Sequence, residues 1–265
     1  MFEYFLLVSP PLNRVYRPNS KTIATAPSKI KPIKLNKKVD INNYQLTIMS
    51  YSLNTTILNP LSKKKPKNAV ILCHGYGGDG KDISLLASYW RTYLPDTLFV
   101  CPDAPEKCAV SAFGFQWFDL MDQTKDQVLV KSLVAEIKLN TLIDEVIEKN
   151  DLTSEKIAIG GFSQGCMISL QTGIKRKDKI NSVIGYSGKI IDENHLQNNI
   201  NSSPNIILMH GDKDEIVPVS FLLEAKNFFN KNNYKIQTKI FKNCEHRIPT
   251  EGSSLGLEFL KKNLY

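Results

Sequence analysis

Short apolar runs, many of them β-branched, recur along the chain from residue 69 onward, with longer amphipathic stretches between them. Residues 69–74 (AVILCH), 97–101 (TLFVC), 156–160 (KIAIG), 180–186 (INSVIGY) and 205–210 (NIILMH) are continuously apolar, as strands buried on both faces read. Residues 234–241 (YKIQTKIF) alternate instead, which predicts an exposed edge strand. Residues 126–149 place Val128, Leu129, Leu133, Val134, Ile137, Leu142, Ile143 and Val146 at helical spacing on one side. Residues 164–175, 220–230 and 250–263 are shorter helix candidates. Strands alternating with helices predict an α/β fold with a mostly parallel sheet covered on both faces. In such sheets, sites form beyond the carboxyl ends of the strands, so the residues following each apolar run carry the chemistry.

After the third run comes Gly161-Phe-Ser-Gln-Gly165, a G-x-S-x-G pattern between a strand and a helix. A sharp turn there strains the serine backbone, and small flanking residues let strand and helix approach closely. Ser163 is the candidate nucleophile. Ser187 in GYSGK is a rival at another strand end, but it lacks the second glycine and no helix pattern follows it. A serine hydroxyl needs a base, and the base needs an orienting acid. On such an elbow they follow in the order serine, acid, histidine. Of the four histidines, His246 alone follows both Ser163 and the acidic loop HGDKDEIVPV. His74 and His210 end apolar runs and read as structural, while His195 sits in a polar loop and reads as solvated. Asp214 and Asp212 compete for the acid. Asp214, which is followed by a turn into a helix, is preferred, and Asp212 then braces the loop. The developing oxyanion needs backbone N–H donors. Gln164, next to the nucleophile, supplies one, and Tyr76 in the glycine-rich loop HGYGGDG is the candidate for the other. That loop lacks the G-K-[ST] ending of a phosphate-binding loop.

The net charge of +8 is uneven. Residues 1–48 carry +6 and leave +2 on the rest, so the body is nearly neutral and nucleic acid is not an expected partner. This division predicts a basic, poorly ordered extension over 1–48 and a catalytic domain over 49–265, with Met49 a candidate functional start. The opening MFEYFLLVSPP is short, is interrupted by Glu3 and has no basic residue before it, so no signal peptide is predicted. No apolar run reaches the roughly 18 residues of a membrane-spanning helix. Five cysteines without metal spacing read as buried free thiols in a reducing, cytoplasmic setting.

The stretches LCHGYGGDGKD, CPDAPE, FQWFDL, GGFSQGC, HGDKDEIVP and EHRIP together resemble, in order, the motifs of the carboxylesterase, lysophospholipase and acyl-protein thioesterase group of α/β-hydrolases. The resemblance covers about residues 60–265. It implies a Ser163–His246–Asp214 triad, oxyanion donors at Tyr76 and Gln164, and an acyl site lined by Trp117 and its neighbours. Two positions depart from the pattern. Cys166 stands where a second glycine is usual, which predicts altered packing or thiol sensitivity beside the nucleophile. Glu245 precedes His246 where glycine is usual, which predicts an effect on the orientation of the base.

About twenty residues separate the fourth and fifth strands, too few for a cap domain, so the site is expected to be open. An open groove suits an acyl chain carried by a lipid, a micelle surface with transient membrane contact, or an acylated protein. Residues 111–118 (SAFGFQWF) read equally as core or as acyl contact. On the second reading Trp117, Phe115, Leu85 and Leu86 form an apolar trough. The function expected is hydrolysis of carboxylic esters or thioesters with no metal or cofactor, by a monomer or homodimer. A small-ester carboxylesterase, and a hydrolase-fold binding protein with little turnover, are the competing readings.

Overall fold

This computed structural model describes residues 51–121 and 123–265. The expectations for residues 1–48 and Met49 lie outside the described residues. The elements run β1 (Thr55–Leu58), β2 (Asn68–Cys73), α1 (Gly80–Arg91), β3 (Thr97–Pro102), β4 (Glu106–Lys107), β5 (Phe115–Gln116), α2 (Lys125–Asn150), β6 (Ile157–Phe162), α3 (Gln164–Lys175), β7 (Ser182–Tyr186), α4 (Glu193–Gln197), β8 (Asn205–Gly211), α5 (Ser220–Lys231), β9 (Ile236–Phe241) and α6 (Thr250–Leu264). Seven strands form one sheet in the order β1-β3-β2-β6-β7-β8-β9, and β4 and β5 pair as a small separate ribbon. Every neighbour pair in the large sheet is parallel except β1–β3. All six expected strands are present, and the alternating one, β9, lies at an edge as its pattern requires.

The apolar runs earn their lack of alternation. Every residue of β2, β3, β6 and β7 is buried, because both faces of these central strands are covered. One core lies on the face that carries Leu139 and Leu142 of α2, Ile168 of α3 and Phe229 of α5. The other gathers Ile83 and Trp90 of α1 with Leu257 and Leu260 of α6. Helix α3 is buried from Gln164 through Ile174, so the segment after the elbow is the most enclosed helix of the fold.

Helix α2 corrects one expectation. Its buried positions are Ser132, Ala135, Glu136, Leu139, Leu142, Ile143 and Val146, whereas Val134 and Ile137 face solvent. The inner face of its first half is polar because it meets polar groups of α3. Gln171 Nε2 donates to Glu136 Oε2 at 2.9 Å, and Lys175 Nζ lies 2.7 Å from the same oxygen. A capping box between Thr124 and Gln127 starts the helix, and Asp151 in a left-handed conformation ends it. His195 is likewise not solvated. It lies half-buried in α4, its Nε2 2.9 Å from Lys175 Nζ.

These placements distinguish two apolar positions on the same helix. Leu139→Ala opens a cavity under the sheet and is expected to cost about 2–5 kcal/mol. Val134→Ala is expected to stay within about 0.5 kcal/mol of wild type. Urea unfolding midpoints of the two variants check the assignment, and similar losses would refute it.

Candidate active site

Strand β6 passes between β2 and β7 and ends at Phe162, and α3 begins one residue after Ser163. Ser163 takes up the reversal with φ 54° and ψ −116°, which a residue with a side chain rarely adopts. Backbone hydrogen bonds on both sides hold it there. Its N–H donates to Tyr186 O at 2.8 Å, and its carbonyl accepts from Met167 N–H at 3.1 Å. The flanking glycines are required by contact. A Cβ at Gly161 or at Gly165 would fall on the carbonyl oxygen of Cys73 in β2. Cys166 in place of a further glycine is accommodated from the other side, because Gly185 and Gly188 leave the space its sulfur fills. Burial, partly opposed by backbone groups of Gly188 and Tyr186, pushes the Cys166 thiol up to about 12. Its sulfur is enclosed against those glycines, which is the altered packing this position was expected to bring.

The serine does not stand alone. His246 Nε2 lies 3.0 Å from Ser163 Oγ, and His246 Nδ1 lies 2.7 Å from Asp214 Oδ2. With a carboxylate facing Nδ1, that nitrogen carries the proton and Nε2 is free to accept from the serine hydroxyl. The imidazole also packs on the Phe162 ring, with centroids 4.7 Å apart. Ser163 and His246 are 6% and 8% exposed, so little of either side chain meets solvent. Glu245 is exposed. Asp214 and Phe162, rather than this neighbour, set the ring orientation of His246.

Asp214 is fully engaged. Its Oδ1 accepts from the N–H groups of Ile216 at 3.1 Å and Val217 at 2.8 Å. Its Oδ2 faces His246 and, at 3.3 Å, His210 Nε2, whose proton also points at Val217 O 2.7 Å away. Burial would raise the Asp214 carboxyl, but hydrogen bonds from His210, His246 and Val217 outweigh it and hold the group well below the ordinary carboxylate range. Asp212 is exposed and accepts from Cys244 N–H at 3.2 Å, which ties the acidic loop to the loop bearing His246. Ser187, the rival serine, is buried at the end of β7, and its N–H donates to Met209 O at 2.8 Å.

Facing the elbow is the glycine-rich loop after β2. It is clamped to β5 by a reciprocal pair, Gly77 N–H to Phe115 O at 2.9 Å and Phe115 N–H to Gly78 O at 2.8 Å. His74 braces the loop base. Its Nε2 accepts from Ala104 N–H at 2.9 Å, so its Nδ1–H donates to Gly75 O at 2.7 Å. Burial lowers the affinity of this imidazole for a second proton, in keeping with a neutral structural role. The Gln164 side chain, which the sequence did not single out, reaches the same region. Its Oε1 accepts from Trp117 N–H at 2.8 Å and its Nε2 donates to Phe118 O at 2.6 Å. Among the described residues, the backbone N–H groups of Tyr76 and Gln164 have no hydrogen-bond acceptor.

A cavity of about 540 Å³ lies between α2, α3, α5 and the segment after β7. Its apolar lining includes Phe118, Val128, Met167, Ile190, Ile191 and Phe221. Met167 of α3 and residues 189–193, which follow β7, contribute to its wall. None of the four residues expected to form the acyl trough lines this cavity. Trp117 is wholly buried and its indole N–H donates to His74 O at 3.1 Å, so it supports the loop from behind. Leu86 belongs to the core beneath α1, and Leu85 projects from the exposed side of that helix. Phe115 acts through its backbone clamp, and Lys107 covers its ring at 3.8 Å. Among the described residues, no His, Cys, Asp and Glu side chains cluster as a metal site, and all five cysteines are buried free thiols. No helix of the described residues is long and apolar enough to cross a membrane.

Comparison with known proteins agrees with this geometry. The sequence matches the Phospholipase/Carboxylesterase family over residues 56–264. It is 32% identical to acyl-protein thioesterase 1 of Saccharomyces cerevisiae over 215 residues, which cover 75% of this chain and 93% of that one. It is 30% identical to acyl-protein thioesterase 1 of Kluyveromyces lactis over 220 residues, covering 77% and 95%. The crystal structure of esterase PE8 superimposes with a TM-score of 0.76 at 32% identity, covering 80% of this chain and 99% of that one. The fold of Zea mays acyl-protein thioesterase 2 is also similar, with a TM-score of 0.65 at 21% identity, covering 80% and 99%. The chain therefore belongs to the phospholipase/carboxylesterase family of α/β-hydrolases and is a serine hydrolase of that family.

Proposed function

We propose that the protein hydrolyses carboxylic esters or thioesters of acyl chains through an acyl-enzyme, with Ser163 as nucleophile, His246 as base and Asp214 as its partner. The observation that carries this reading is the hydrogen-bonded line Ser163 Oγ–His246 Nε2 at 3.0 Å and His246 Nδ1–Asp214 Oδ2 at 2.7 Å, set on a strained elbow. Ser163 attacks the acyl carbonyl while its proton passes to His246 Nε2. The oxyanion is held by the N–H groups of Tyr76 and Gln164, both free to donate. His246 then gives its proton to the leaving oxygen or sulfur, and a water molecule activated by the same nitrogen releases the acid. Asp214 stays ionised throughout and stabilises the imidazolium. Nucleophile, base, acid and donors all come from one chain, so the chemistry requires no added group and a monomer suffices.

The cavity lined by Met167, Ile190, Ile191 and Phe221 takes the acyl chain in this reading. The yeast relatives bear the name acyl-protein thioesterase, and their likeness supports an acylated protein or a lipid ester as substrate for this chain too. Its free thiols suit a reducing compartment such as the cytoplasm.

Ser163→Ala is expected to lower kcat/KM on 4-nitrophenyl esters by about 1,000-fold or more. Undiminished activity would remove the elbow from the mechanism, and an inactive wild type would favour a binding role. Ile191→Trp narrows the cavity and is expected to cut kcat/KM for the laurate ester about tenfold more than for the acetate ester. Equal losses would place the acyl chain elsewhere. Because the folded Asp214 carboxyl sits below its unfolded value of about 3.9, its contribution to stability is present at neutral pH. That contribution is lost as the pH falls from the unfolded value toward the folded one. Asp214→Asn is therefore expected to be less stable than wild type at neutral pH, with the gap narrowing toward about pH 3. Urea midpoints at the two pH values measure it, and a gap that does not narrow between them contradicts the assignment.

A further inference from the structure

By its place at the end of an apolar run, His210 groups with His74 as a structural histidine. Their surroundings separate the two. The ring nitrogens of His74 meet backbone groups, Ala104 N–H and Gly75 O. His210, near the end of β8 and 1% exposed, faces Val217 O and the Asp214 carboxylate, so it touches the acid of the site directly.

Val217 O lies 2.7 Å from His210 Nε2 and can only accept, so Nε2 carries a proton. That fixes the tautomer of a neutral His210, and Asp214 Oδ2 lies 3.3 Å from the same nitrogen. The first consequence is positional. Val217 is held on both sides, its carbonyl by His210 and its N–H by Asp214 Oδ1 at 2.8 Å, so His210 fastens the turn over 214–217 to the end of β8. The second is electrostatic. Oδ2 is the oxygen that faces His246 Nδ1 at 2.7 Å, and a further donor beside it draws charge away from the imidazole. Burial raises the Asp214 carboxyl, and of the hydrogen bonds that bring it down, that of His210 is the largest.

His210 and His246 are the side chains that meet Oδ2 among the described residues. Burial pushes the Cys244 thiol up, against the pull of Arg247, so it is uncharged at neutral pH and below. Asp212, Lys213, Glu215 and Glu245 are exposed, and Asp212 is engaged with Cys244 N–H.

We propose that His210 is a positioning residue of the relay, which holds the acidic turn in place and takes a share of the Asp214 charge, and so sets how strongly His246 holds its proton. The inference rests on the hydrolase reading above. His210 acts through Asp214 and His246 and does not touch the substrate.

The test compares wild type, His210→Leu and His210→Gln by kcat and KM on 4-nitrophenyl octanoate from about pH 5 to about pH 9, followed at the isosbestic wavelength of 4-nitrophenol. Glutamine places an N–H where histidine Nε2 stands, and leucine fills the space without a donor. In His210→Leu, kcat is expected to fall about tenfold with KM unchanged. The acid limb of kcat/KM is expected to move up by about half a pH unit, because the freed oxygen binds the imidazolium more tightly. His210→Gln is expected to return both quantities toward wild type. An acid limb that stays in place in His210→Leu overturns the inference, and so does an equal loss in both variants that tracks their urea midpoints, which a merely structural histidine gives. His210→Asn, one methylene too short to reach Asp214, repeats the comparison should the leucine variant not fold. An active wild type with an unmoved limb in the variants overturns this inference alone, whereas an inactive wild type overturns the hydrolase reading with it.

Discussion

Strand β6 and helix α3 meet at an angle the backbone accepts only if Ser163 takes a positive φ, at a cost of about 1–3 kcal/mol. Much of the surrounding structure sustains that turn. The carbonyl of Cys73 in the neighbouring strand approaches so closely that residues 161 and 165 must lack side chains. On the other flank, Gly185 and Gly188 are bare where the Cys166 sulfur projects. The elbow is thus held by three parallel strands, β2, β6 and β7, and by a helix buried along nearly its whole length. A serine fixed in this way cannot relax without disturbing the centre of the sheet, which is how a stable core preorganises a side chain.

The charged part of the site follows the same economy. Asp214 is almost entirely removed from water, yet each oxygen has two polar neighbours, so the carboxylate remains ionised beside the imidazole. His210, near the end of β8, meets the same carboxylate oxygen as His246. Asp212 ties its own loop to the loop of His246. Gln164 joins the other half. Its backbone opens α3, while its side chain fastens residues 117 and 118 beside the glycine-rich loop.

The features legible in the sequence are those governed by local pattern. Continuous apolar runs marked the central strands, and the glycines around Ser163 marked the elbow, because burial on both faces and close backbone approach leave few residue choices. The histidine and aspartate were found because chain order on such an elbow restricts the candidates. Less legible were β1, α4 and the β4–β5 ribbon, which are short, whereas Ile83, Leu86, Ala87 and Trp90 of α1 do repeat at helical spacing and were not singled out. Val134 and Ile137 misled because apolar spacing alone does not show which side of α2 meets α3, and α3 offers Gln171 and Lys175 there.

The chain by itself determined the alternation of strands and helices, the position of the strained turn and the three side chains, Ser163, His246 and Asp214, that hydrogen-bond in line. Each follows from neighbouring residues or from order along the chain. Only the tertiary structure decided that Trp117 and Leu86 are supports rather than walls, that Gln164 is a brace, and that Lys125 and Lys189 share a cavity with Met167 and Phe221. Those assignments depend on which surfaces from distant segments pack together. Solvent access and charge pairing are properties of that packing, and one-dimensional spacing does not contain them.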